Sequence, residues 1–142
     1  MKVLNVEATI ENLAKVFVFL QESLEKADVP PKVKRQIKLC VEELYMNITH
    51  YAYNPNTGPA SIAVDVVNDR EPTRIVISFT DEGIPYDPLA KEDPDLELGL
   101  DERPVGGLGI YLVKNTMDKI EYERKDDRNI LTIEKDFASG PA

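Results

Sequence analysis

An α+β domain, with helices laid on one face of a sheet, is what the order of elements in this chain predicts. Amphipathic helical stretches come early, strand-like stretches follow in pairs, and a single helix separates the pairs. The full order is strand, two helices, two strands, a long loop, one helix, two strands. Strict alternation of strand and helix is absent. A doubly wound parallel sheet is therefore not expected, and the sheet is either mixed or antiparallel.

Each element has a local reason. Residues 2–7 form a short first strand. From Thr9, an expected N-cap, "TIENLAKVFVFLQESLEKA" repeats apolar residues at helical spacing as far as Ala27. "DVPP" breaks that helix, and Pro31 suits the first turn of the next. The second helix runs from about Lys32 to Tyr53 and stops at the turn cluster "NPNTGP". "ASIAVDVV" and "TRIVISFT" read as strands, with Ile75, Ile77 and Phe79 on one face of the second. A proline-rich, acidic stretch without periodicity follows, spanning about 86–105. Roughly twenty such residues inside a domain mark a lid or binding loop. "LGIYLVKNTM" then reads as a helix, and "KIEYER" and "NILTIEKDF" as a hairpin around "KDDR". Neither repeat nor linker divides the chain, so residues 1–142 are expected to form one domain.

Composition narrows the function. A net charge of −9 with no Lys/Arg run argues against nucleic acid and against a polybasic membrane contact. "VFVFL" is too short to span a bilayer, and no signal peptide is evident. One Cys and one His do not make a standard structural zinc site. Cys40 cannot form an internal disulfide and reads as a small buried hydrophobe, consistent with a reducing cytoplasm.

Three constellations stand out. On the second helix, Gln36, Glu43, Asn47, His50 and Asn54 make one polar stripe, beside an apolar line of Ile37, Val41, Leu44 and Ile48. That stripe is either a solvated face or a carboxylate and amide held for chemistry. In "FTDEGIP", Asp81 ends a strand where an ordinary turn would also place it. A carboxylate there can accept from an exocyclic amine, with Gly83 allowing close backbone approach to a planar ring. In "GGLGIYLVK", Gly106, Gly107 and Gly109 open a helix whose free N–H groups attract phosphate; a plain helix start after a loop fits equally.

Taken together and in this order, the three resemble the histidine-kinase-like ATPase superfamily, and within it the bacterial anti-sigma factor serine/threonine kinases. "EELYMNITHYAY" resembles the N box, "DEGIPYDP" the first glycine box and "RPVGGLGIYLVKNTMDKIEYER" the second. The resemblance runs from about Val6 to Lys135. It implies a two-layer α/β sandwich with a mixed sheet, and ATP or ADP with Mg²⁺ held between the helices and the lid. By position, Glu43 resembles the general base and Asn47 the Mg²⁺ ligand. Asp81 resembles the adenine-reading aspartate, with Gly83 beside it. Gly107 and Gly109 resemble the phosphate-contacting glycines, with Leu108 between them; Arg103, at the lid's end, either neutralises phosphate charge or is an ordinary surface arginine. Tyr51 stands where many members carry His, Pro85 replaces a second glycine, and Val105 stands where some members are basic.

The implied activity is phosphorylation of a STAS-domain anti-sigma antagonist in a cytoplasmic partner switch, with a sigma factor as a further partner and a homodimer as the expected assembly. The alternative is an ATP-dependent binding module with little phosphotransfer. The catalytic half of a two-component sensor fits least, because His50 lies inside the nucleotide-site helix and no dimerisation helix pair is present in the sequence.

Overall fold

Residues 1–90 and 108–138 are described by the computed structural model. The first strand, β1 (Lys2–Glu7), leads through a 3-10 turn at Ile10–Asn12 into α1 (Leu13–Lys26). Thr9 is extended at this entry but its side chain makes no capping bond. Instead the Asn12 amide donates to the Glu7 carbonyl at 2.8 Å, so the expected cap is replaced by a brace from inside the turn. After α1, Asp28 takes a left-handed conformation (φ 53°) and Val29 N–H reaches back to Leu24 O. Aspartate here does what glycine usually does at a helix end.

Helix α2 (Pro31–Asn47) begins on the proline that the sequence points to. The predicted single helix to Tyr53 does not hold. The α geometry ends at Asn47 and a π turn, Ile48–Ala52, continues it. Such turns carry an extra residue per hydrogen bond and so rotate whatever follows. The apolar line behaves as expected: Ile37, Val41, Leu44 and Ile48 are all buried. Each such side chain contributes about 1.5–3 kcal/mol by leaving water. Tyr45, also buried, donates to Thr9 O at 2.6 Å and pins α2 to the junction of β1 and α1. Cys40 is fully buried, and burial pushes its thiol up to about 11.

The remaining strands are β2 (Pro59–Val67), β3 (Thr73–Asp81), β4 (Lys119–Lys125) and β5 (Arg128–Phe137), with α3 (Leu108–Thr116) before β4. Their order in the sheet is β1-β2-β3-β5-β4. Every pairing is antiparallel, so the mixed sheet implied by the resemblance is corrected to an antiparallel one. The reason lies in the last hairpin. Asp126 and Asp127 both have positive φ, 52° and 60°, the two-residue turn that suits the twist of a tight hairpin. Their turn folds β5 back between β3 and β4, which would otherwise be parallel neighbours.

One face of the sheet is covered. Ile62, Ile75, Ile77, Phe79 and Ile133 are nearly inaccessible, while Val76, Ser78, Thr80 and Thr132 on the opposite face are only half-buried. The helices therefore form one layer and the sheet the other. Register on the covered face puts Asp81 directly opposite Asn129.

Candidate nucleotide site

Asp81 is the last residue of β3 and is 6% exposed, as is Asn129 facing it. A buried carboxylate needs partners. Its Oδ1 accepts from the Gly83 backbone N–H and from Asn129 Nδ2, both at 2.9 Å. Among the described residues no hydrogen bond reaches Oδ2, so one oxygen serves the turn and the other remains for a ligand donor. The ordinary strand-to-turn reading of D-x-G is met by Oδ1, and Oδ2 leaves the binding reading open.

Gly83 has a packing reason of its own. A Cβ there would lie 2.3 Å from the Ala52 carbonyl oxygen and 2.6 Å from Ala52 Cβ. The glycine admits the end of the π turn, to which Ile84 N–H then bonds at 3.0 Å. Tyr53 ties down the same corner: it donates to Pro59 O at 2.5 Å and accepts from Glu82 N at 2.7 Å. Burial raises its phenol above the usual value, which keeps the proton needed for the first bond.

Between this corner and α2 lies a cavity of about 40 Å³. Phe79 and Leu131 floor it, Leu44 and Ile48 wall it, and Asn47, Asp81 and Asn129 supply its polar atoms. Tyr86 and Pro88 also line it, and the Tyr86 ring stacks on Tyr51 with centroids 5.1 Å apart. The volume suits a few waters. A bicyclic base is larger than that, so part of the lining has to shift for one to enter.

Asn47 is half-buried and reaches this cavity; Glu43, one turn earlier, does not line it. Glu43 instead meets the first turn of α3. A Cβ on Gly109 would lie 2.1 Å from Glu43 Oε2. Gly109 is thus a glycine against a carboxylate, placed where the positive end of a helix dipole favours negative charge. The structure gathers Asn47, Asp81 and Gly83 at one end and Glu43 and Gly109 at the other. Leu108 is the first residue of α3. Arg103, Gly107 and most of the expected lid lie outside the described residues.

The predicted polar stripe does not survive whole. Gln36, Glu43 and Asn47 stay half-buried on it, but His50 and Asn54 are exposed, because the π turn rotates them away. Conversely, Tyr86 and Tyr122 lie inside the two quoted glycine boxes without having been singled out, and Asn129 belongs to the site with no motif to announce it. Only the sheet register could have found Asn129.

The model of the histidine kinase-like ATPase domain matches residues 6–135. The serine/threonine-protein kinase BtrW of Bordetella bronchiseptica is 31% identical over 102 residues, covering 72% of this chain and 70% of that protein. The serine-protein kinase RsbW of Bacillus cereus is 27% identical over 99 residues, or 67% of this chain and 59% of RsbW. The match thus spans under two thirds of RsbW's length. The histidine kinase AdeS of Acinetobacter baumannii superposes on 96% of this chain and 68% of its own, with a TM-score of 0.45 and 16% identity. That last likeness is too slight to carry any argument about the site.

Proposed function

Since the chain belongs to the histidine kinase-like ATPase family, we propose that it is a serine/threonine protein kinase that takes ATP into this cavity. The observation that carries the reading is the order of groups along α2 and β3. Asp81 and Asn47 share one cavity, and Glu43 sits a turn beyond, against the start of α3. That order follows a nucleotide from base to γ-phosphate. The names of BtrW and RsbW as serine/threonine or serine kinases support the same activity here.

In this reading Asp81 Oδ2 accepts from the adenine amino group, and Phe79 and Leu131 pack on the base. Guanine presents no amino group at that edge and is disfavoured. The phosphates run toward Gly107, Leu108 and Gly109, where the α3 N–H groups and Arg103 meet their charge. Mg²⁺, which takes few protein oxygens beside phosphates and waters, fits the single amide oxygen of Asn47, and when bound it neutralises phosphate charge. Glu43 then takes the proton of an acceptor serine or threonine hydroxyl. The new bond joins that oxygen to the γ-phosphorus, the bond from phosphorus to the β–γ bridging oxygen breaks, and ADP leaves. The acceptor proposed is a STAS-domain anti-sigma antagonist, with a sigma factor as the alternative partner of a cytoplasmic homodimer.

Thermal unfolding with nucleotide tests the site directly. ATP or ADP with Mg²⁺ should raise the melting temperature, by about 2.7 kcal/mol of added stability at a hundredfold excess over Kd. GTP should do much less. Equal stabilisation by GTP, or none by any nucleotide, removes the assignment of Asp81. Transfer of labelled γ-phosphate to a partner captured with ATP tests the reaction. Binding without transfer to any captured partner would make the chain a nucleotide-dependent binding module instead.

A further inference from the structure

Asn129 touches more of the site than any residue the motifs name. Its Nδ2 donates to Asp81 Oδ1 at 2.9 Å and to Ile84 O at 2.8 Å. Its Oδ1 accepts from Tyr122 OH at 2.5 Å and from Tyr86 N–H at 3.3 Å. A side-chain amide has two N–H donors and two lone pairs, so all of its capacity is used. The orientation is also settled: Ile84 O can only accept and the Tyr86 N–H can only donate. Although Asn129 lines the cavity, it has no free position for a ligand and must act through its neighbours.

We propose that Asn129 is a positioning residue that joins base recognition to the root of the 84–90 segment. By holding Oδ1 of Asp81 it turns Oδ2 toward the cavity. By holding Ile84 and Tyr86 it fixes the point from which the Tyr86–Pro88 side would swing to admit a purine. A hydroxyl-bearing or apolar residue cannot do both, because the two donors point to acceptors on separate segments. Arg124 reinforces the arrangement from β4, donating to Gly83 O at 2.8 Å. The base-recognition half rests on the reading of the cavity as an adenine site.

The test uses two variants and two readouts. Asn129→Asp keeps the volume and both accepted bonds, but replaces the donor with a carboxylate oxygen facing Asp81. The charged and titratable groups around it are Asp81 and Glu82 from β3 and its turn, Tyr122 and Arg124 from β4, Arg128 from β5, and Tyr86. Two carboxylates in such contact cannot both stay ionised at little cost, so the pair retains a proton as pH falls. Affinity of Asn129→Asp for Mg·ATP should fall on the order of 10–100-fold at about pH 8 and recover severalfold toward about pH 5. Asn129→Ala should lose affinity by a similar factor with no such recovery. In both, KM should change more than kcat. Without nucleotide, the Tyr86 amide should exchange at least about tenfold faster in Asn129→Ala than in wild type.

Wild-type affinity in Asn129→Asp at the higher pH overturns the proposal. So does a pH profile parallel to that of Asn129→Ala, or Tyr86 exchange unchanged by removal of the amide. If wild type itself binds no adenine nucleotide, the adenine reading falls and the base-recognition half with it. The exchange measurement, which needs no nucleotide, still judges the other half.

Discussion

The two ends of the site are built on opposite principles. At the proposed base end, buried Asp81, Gly83 and Asn129 interlock through hydrogen bonds with one another and with half-buried Tyr122, and half-buried Tyr53 ties down the adjoining corner. At the proposed phosphate end, Glu43 is half-buried and reaches the first turn of a nine-residue helix. On the proposed reading, the difference follows from what each end would do. Recognition of a planar base benefits from a rigid, desolvated cradle whose cost is met by folding. Transfer of a phosphoryl group needs a carboxylate that keeps its charge, reaches water and moves with the substrate. The π turn belongs to the first end alone, since Asn47 precedes it and Ala52, which Gly83 touches, ends it.

Removing the carboxylate should expose the contrast most strongly. In Glu43→Ala, phosphate transfer should fall on the order of 10²–10⁴-fold while Mg·ATP affinity stays near that of wild type. Transfer at the wild-type rate would show that Glu43 is not the base. Next in size is the glycine pair. In Gly109→Ala the new methyl meets the end of the Glu43 side chain, which can swing aside. Transfer should drop on the order of 10–100-fold from a misplaced base, with little loss of stability in a denaturant titration. In Gly83→Ala the methyl meets the Ala52 backbone, which cannot. Stability should fall by about 1–3 kcal/mol, read as a lower midpoint at unchanged slope. The reverse pattern, with Gly109→Ala unstable and Gly83→Ala neutral, would erase the distinction between the two ends.

The smallest effect belongs to a control on the open face of the sheet. Arg74 holds Asp136 through bonds of 2.8 and 3.3 Å, and that contact lowers the Asp136 carboxyl below its ordinary value of 3.8. The contribution is complete above that ordinary value and disappears as pH falls through the lowered one. Arg74→Ala should therefore narrow the gap between melting temperatures at neutral and strongly acid pH, slightly, because the pair is partly exposed. ATP affinity at neutral pH should not change; a change would mean the open face communicates with the site.

Much of this architecture was legible because local signals agreed with one another. Alternating Ile75, Ile77 and Phe79 announced a half-covered strand, and the Ile37–Val41–Leu44–Ile48 line announced the buried side of a helix. Pro31 marked a helix start for a steric reason that context rarely overrides. Asn47 and Asp81, far apart in sequence, do meet at one cavity. What was not legible depends on pairing or on geometry that no residue type encodes. Nothing in "ITHYA" separates a π turn from an α turn, so the stripe was extended one turn too far. Asn129 is an unremarkable strand-start residue until register sets it against Asp81. The antiparallel sheet likewise rests on where β5 inserts, a tertiary choice rather than a local one. The motif glycine Gly83 was legible, but its contact with Ala52 was not.

The insertion of β5 between β3 and β4 has a consequence for the chain as it is made. Asp81 leaves the ribosome 48 residues ahead of the Asn129 that orients it. At about 5–20 residues per second, that lag is roughly 2–10 seconds. Throughout it β3 has an open edge and Asp81 has no cross-strand amide. An unfinished chain therefore holds the aspartate but not the amide opposite it, and on the proposed reading nucleotide capture waits for the last hairpin to close.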